Sequence, residues 1–138
     1  MKFKITDPVY NLELTVCIGV NFEEIEHAIA DANLAPLEPE QKPDNFTNAC
    51  CVFPKEWNRC GWLWLSGRYE IDDPKWHGVI AHEFFHVAMK VFETIGDPNI
   101  SDFNEEPFAY YLKFLVSEFY KKARESKKSK GGKNETYE

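Results

Sequence analysis

Five consecutive residues, His82-Glu83-Phe84-Phe85-His86, combine side chains that together can activate water. On a helix, positions four apart stack on one face. His82 and His86 can therefore present two imidazoles to one metal ion. Glu83 sits one step round the same helix, within reach of a water on that metal. Two imidazoles plus a neighbouring carboxylate form the HExxH pattern, whose chemistry is metal-assisted hydrolysis with the carboxylate as general base. A catalytic zinc needs three protein ligands and an open position for water. A carboxylate from a following helix often completes the set, and Glu105 and Glu106 stand at the start of the next helical segment.

The elements that must position these groups can be read from periodicity. Asp73-Pro74 is a helix start, with Asp as N-cap and Pro at the first helical position. The helix runs to Ile95, with Gly96 as terminator and Pro98 beyond it. Ile80, Ala81, Phe84, Phe85, Val87, Ala88, Val91, Phe92 and Ile95 share a broad apolar sector. His82, Glu83, His86, Lys90 and Glu93 occupy the opposite one, so the histidines face a cleft or solvent. Pro107 lacks an N–H and must lie in the first turn of the second long helix. That turn starts near residues 103–106, with Asn104 as cap, and the short connection predicts an antiparallel helix pair.

Upstream of the helix pair the pattern is mostly strand. Residues 2–6 read as a short strand and residues 10–19 alternate, with Leu12, Leu14, Val16 and Ile18 on one face. Residues 22–33 read as a helix capped by Asn21, with Phe22, Ile25 and Ile29 as its stripe. Residues 34–45, with three prolines, form a loop. Residues 47–53 and 61–67 are two further strands around the turn Pro54–Cys60.

Composition bounds the rest. A chain of 138 residues, 43% hydrophobic and 15% aromatic, predicts one globular domain over residues 1–120. No apolar run approaches a membrane span, and no signal peptide is read at the N-terminus, so a cytoplasmic protein is expected. Cys17, Cys50, Cys51 and Cys60 form no CxxC pair and are read as reduced thiols. His27 and His77 are read as surface histidines, and Trp57, Trp62 and Trp64 as core and cleft wall. Residues 121–138 hold seven basic and three acidic side chains, a charge of +4 that leaves −11 on the remainder. This stretch reads as a basic helix end broken at Gly131-Gly132 and followed by a disordered tail. It is read as a solubilising end, with a weak electrostatic handle for nucleic acid as the alternative.

His82-Glu83-Phe84-Phe85-His86, followed after 19 intervening residues by Glu106 in Glu106-Pro107-Phe108-Ala109-Tyr110, resembles the gluzincin zinc metallopeptidases. Within that group the chain looks most like the minimal metallopeptidase-like proteins of phages and other mobile elements, which pair HExxH with a downstream ExxA. The resemblance covers residues 74–120, more weakly the preceding strands. It implies an α+β, minimal zincin-like fold: a small, mostly antiparallel sheet packed on an active-site helix and a following antiparallel helix. It implies Zn²⁺ on His82, His86 and Glu106, because Ala109 stands three residues after Glu106 whereas Phe108 stands after Glu105. The helical wheel favours Glu105 instead, which lies nearer the stripe of Phe108, Leu112, Leu115 and Phe119. Thermolysin-like members carry an Asp four residues after the ligand Glu, where this chain has Tyr110. Metzincins place a third His where this chain has Met89 and Phe92, which excludes that group.

The activity implied is hydrolysis of a peptide or protein substrate by a monomer, possible also in the cytoplasm of a phage host. Zinc lowers the pKa of its water toward roughly 7, and Glu83 acts as the base. Tyr110 or Tyr111 is a candidate oxyanion stabiliser. In the families it resembles, the strand before the active helix, here 61–67, lies at the sheet edge and pairs with extended substrate. The rival reading is a catalytically silent zincin-scaffold module that grips a partner protein or a DNA-associated complex. The simplest alternative is an ordinary exposed helix face.

Overall fold

A computed structural model describes residues 1–134, with side chains through Ser129. The elements in chain order are β1 (Lys2–Asp7), β2 (Leu12–Ile18), α1 (Glu23–Asp31), β3 (Ala49–Val52), β4 (Cys60–Leu65), α2 (Pro74–Thr94) and α3 (Glu105–Asn134), with one 3₁₀ turn at Pro39–Gln41. This is an α+β architecture, the fold class expected from the resemblance.

The four strands form one sheet in the order β1-β2-β4-β3. β1 pairs antiparallel with β2, β2 parallel with β4, and β3 antiparallel with β4. The tight turns carry residues that tolerate positive φ: Asn11 between β1 and β2, and Asn58 before β4. Arg59 is also at positive φ, and its side chain donates to the Tyr10 carbonyl at 3.1 Å, tying the two turns together.

Both faces of the sheet are covered. On one side Ile5, Leu14, Val16, Leu63 and Leu65 are fully buried against α2 and α3. On the other, Cys17, Val52 and Trp62 pack against Ile25, Ile29 and Leu37 of α1 and the loop after it. β2 was expected to be half-buried; α1 closes over its second face, so Cys17 is as deeply buried as its apolar neighbours. Trp57 and Trp62 are core residues, and the Trp64 indole N–H donates to the Val20 carbonyl.

The long helices run antiparallel, as the aromatic contacts between them show. Phe92 meets Phe108 with ring centroids 5.2 Å apart, and Phe84 meets Phe119 at 5.7 Å. Asp73 caps α2 by accepting from the Lys75 N–H at 2.9 Å. Gly96, at φ 85°, ends it in a Schellman arrangement: the Asp97 N–H reaches the Phe92 carbonyl and the Gly96 N–H that of Glu93. Asn104 precedes α3 and its carbonyl accepts the first helical bond, from Phe108. Its side chain turns backward, accepting from the Ser101 N–H at 2.6 Å and donating to the Asn99 carbonyl at 2.7 Å. It therefore braces the connecting loop rather than the helix N–H groups. α3 continues to Asn134, past Gly131-Gly132 where the sequence suggested a break. Residues 135–138 of the expected tail lie outside the described residues. Among the described residues no helix is long and apolar enough to cross a membrane.

Candidate metal centre

The buried stripe of α2, from Trp76 through Ile80, Phe84, Val87, Ala88 and Val91 to Phe92, fixes the rotation of the helix on the sheet. That rotation puts His82 and His86 on the exposed side. Their Nε2 atoms lie 3.1 Å apart, with the rings inclined at 79°. Two nitrogens bound to one tetrahedral zinc at about 2.0–2.1 Å stand about 3.3–3.4 Å apart. The observed separation is within a few tenths of an ångström of that spacing. Both rings are exposed, and among the described residues the hydrogen-bonding group against each Nε2 atom is the other histidine.

Glu83 departs from the sequence reading. The wheel placed it in the outward sector, yet it is only 8% exposed. β3 is the cause. This strand lies against the flank of α2, and Cys51 on it is within 3.3 Å of both the Glu83 main-chain oxygen and carboxylate Oε2. The flank that a lone helix would leave open is covered by the sheet edge. Between α2 and β3 runs an open groove of about 520 Å³, lined by Glu83, His86, Met89 and Lys90 from the helix and by Cys51 and Phe53 from the strand side. With Glu93 also on the helix side, that wall carries an imidazole, two carboxylates and a Lys ammonium.

The thiols beside this groove are not nucleophiles. Burial pushes the Cys50 thiol up to about 12, with the Glu83 carboxylate adding to the rise. Burial, then the same carboxylate, holds the Cys51 thiol well above the usual cysteine range. Both stay protonated at neutral pH.

The third donor is not in place. Glu105 and Glu106 are both exposed in the first turn of α3, where the Glu105 main-chain N–H donates to the Ser101 carbonyl at 2.9 Å. No group of three His, Cys, Asp or Glu side chains that could hold a metal occurs among the described residues. The structure brings His82 and His86 together, and His86 and Glu83 both line the groove. It does not bring Glu106 or Glu105 to the histidines.

The two tyrosines considered for oxyanion stabilisation also lie elsewhere. Tyr111 is buried, packs edge-on against Tyr10 at 4.9 Å, and its enclosed hydroxyl lies beside Asp7. Tyr110 is 67% exposed. Both border an apolar hollow beside Pro8 and Val9, not the groove at His86. The expected edge strand is also corrected: β4 is interior, paired on both sides, and β3 is the edge that borders the groove. His27 and His77 are exposed, and His77 contacts the Ile71 carbonyl through Nε2 at 2.9 Å.

Cys51 and Lys90 are the groove residues whose part the sequence reading missed. Lys90 stood in the polar sector of the wheel and was visible there. Cys51 gave no signal, because its partner is 32 residues away and is met only through the packing of a strand edge on a helix. Comparison with protein-family models, curated proteins and solved structures gives no match.

Proposed function

We propose that this chain is a zinc-dependent metallopeptidase of the gluzincin kind. One observation carries the reading: two histidine nitrogens, 3.1 Å apart, on the same helix as a carboxylate that lines a groove. His82 and His86 would hold the metal, with Glu106 from the first turn of α3 as the proposed third donor. Zinc bound there would supply Lewis acidity, polarising a carbonyl and bringing the pKa of a water toward roughly 7.

The rest of the work falls to the chain's own groups. Glu83 takes a proton from the attacking water and returns it to the leaving amine. β3 offers a free strand edge along the groove, so an extended peptide can add to it by main-chain hydrogen bonds. Phe53 and Met89 give the groove an apolar lining for substrate side chains. The substrate class is accordingly an extended or unfolded peptide segment.

The second reading, a silent scaffold that binds a partner, draws support from the absence of a third donor beside the histidines among the described residues. A cleavage screen separates the two. Denatured proteins and a peptide library are incubated with wild type and Glu83→Gln side by side. Cleavage by wild type alone supports the peptidase. Equal cleavage by both points to a contaminating protease, and no cleavage by zinc-loaded wild type favours the scaffold.

A further inference from the structure

Glu83 is a buried carboxylate, and the cation nearest in the groove, Lys90, is engaged with Glu93 at 3.8 Å. The hydrogen-bond donor that the structure gives its carboxylate is a thiol. Cys51 Sγ lies 3.3 Å from Oε2 and 3.3 Å from the main-chain oxygen of the same residue. A buried carboxylate without a donor is costly, and a bond to an ionised acceptor is stronger than a neutral one. A thiol is a weak donor and a small apolar body at once. It can fill the crevice between strand and helix and still direct one hydrogen toward the carboxylate.

We propose that Cys51 is a positioning residue for Glu83, holding its carboxylate against the β3 edge and turned along the groove. This rests on the role given to Glu83 above only for its consequence in catalysis; the contact itself does not depend on it. The geometry has a mechanical logic. The one S–H hydrogen faces both the backbone oxygen and the carboxylate of one residue, so the thiol marks where the helix turn sits and how its side chain points. A general base gains from such fixing because misplacement by a fraction of an ångström lengthens the proton transfer. The thiol also ties the base to the strand on which an extended peptide would lie, so that base and bound main chain keep one spacing. The raised position of the Cys51 thiol agrees with its acting as a donor rather than a nucleophile.

Infrared spectroscopy tests the contact, because the S–H stretch falls in a window free of other protein bands. The difference spectrum of wild type minus Cys51→Ala isolates this thiol from Cys17, Cys50 and Cys60. The band is expected at low frequency, and it should move upward in Glu83→Gln, an isosteric change, and further in Glu83→Ala. A band at the same frequency in all three backgrounds would overturn the proposal. The positioning half is read from a crystal structure of Cys51→Ala: Glu83 should leave its rotamer, and Cys51→Ser should restore it. An unmoved Glu83 in Cys51→Ala would overturn that half even if the band shifts. Where the cleavage screen yields a substrate, Cys51→Ala should lower kcat several-fold with KM and zinc content little changed. If wild type cleaves nothing, the peptidase reading fails while the infrared result still stands or falls by itself.

Discussion

The two halves of the candidate centre differ in how they are built. On α2, His82 and His86 stand ready, Nε2 to Nε2 at 3.1 Å, and Glu83 is already held by Cys51. At the start of α3, Glu105 and Glu106 are exposed. The first half needs one helix with the right rotation, and a stripe of seven buried side chains locks that rotation. The second half depends on where the ten-residue stretch from Ile95 to Asn104 delivers the next helix. That stretch holds exposed Ile100 and Phe103 and is braced by Asn104. If the proposed zinc binds, the ion itself would have to draw the second half to the first. Ligand binding and local ordering are linked in such sites, so metal affinity should register both halves.

The largest effect should come from the preformed half. His82→Ala or His86→Ala should abolish zinc binding. Both rings are exposed, so the fold should survive, with stability changing by no more than about 0.5–1 kcal/mol. Zinc content and thermal melts of the purified variants check this together. Retained stoichiometric zinc in either variant would place the metal elsewhere.

Glu83→Gln should come next. It keeps the shape of the side chain and removes the base, so turnover should drop by about a hundredfold or more with zinc retained. A loss of zinc in this variant would make Glu83 a ligand rather than a base.

The loose half should respond less. Glu106→Ala should weaken zinc binding by at least about tenfold, while Glu105→Ala should do little beyond a helix-start effect of under about 1 kcal/mol. Competition titration with a chelator of known affinity measures both. The reverse result would assign the third position to Glu105, and no effect from either would leave the site with two histidines only.

The smallest effect should lie beyond the packed body. α3 is anchored as far as Ala123, which is 1% exposed, and Lys122 donates to the Lys4 carbonyl at 2.7 Å. Truncation after Glu125 removes none of this, so the melting midpoint should shift by a few degrees at most. A larger shift would mean that the basic end docks on the acidic body.

What could be read from the sequence follows the same division. The caps at Asp73 and Gly96 and the i, i+4 histidines are local, so periodicity and turn chemistry place them correctly. The strands came out within two or three residues for the same reason. Their order did not, because pairing β4 between β2 and β3 is decided by long-range contacts. That order makes β3 the edge, covers the flank of α2 and buries Glu83, which a helical wheel drawn without neighbours puts in solvent. The conflict between Glu105 and Glu106 has the same origin: a motif spacing and a wheel both describe one helix, and neither describes how two helices approach.

The most direct test is the metal itself. Native mass spectrometry of the full chain, purified without chelator and supplied with one equivalent of zinc, should show a folded species carrying one zinc ion. The same species should be missing from His82→Ala. A folded wild type that carries no metal and binds none on titration would contradict the account and leave the histidine pair an exposed feature of α2.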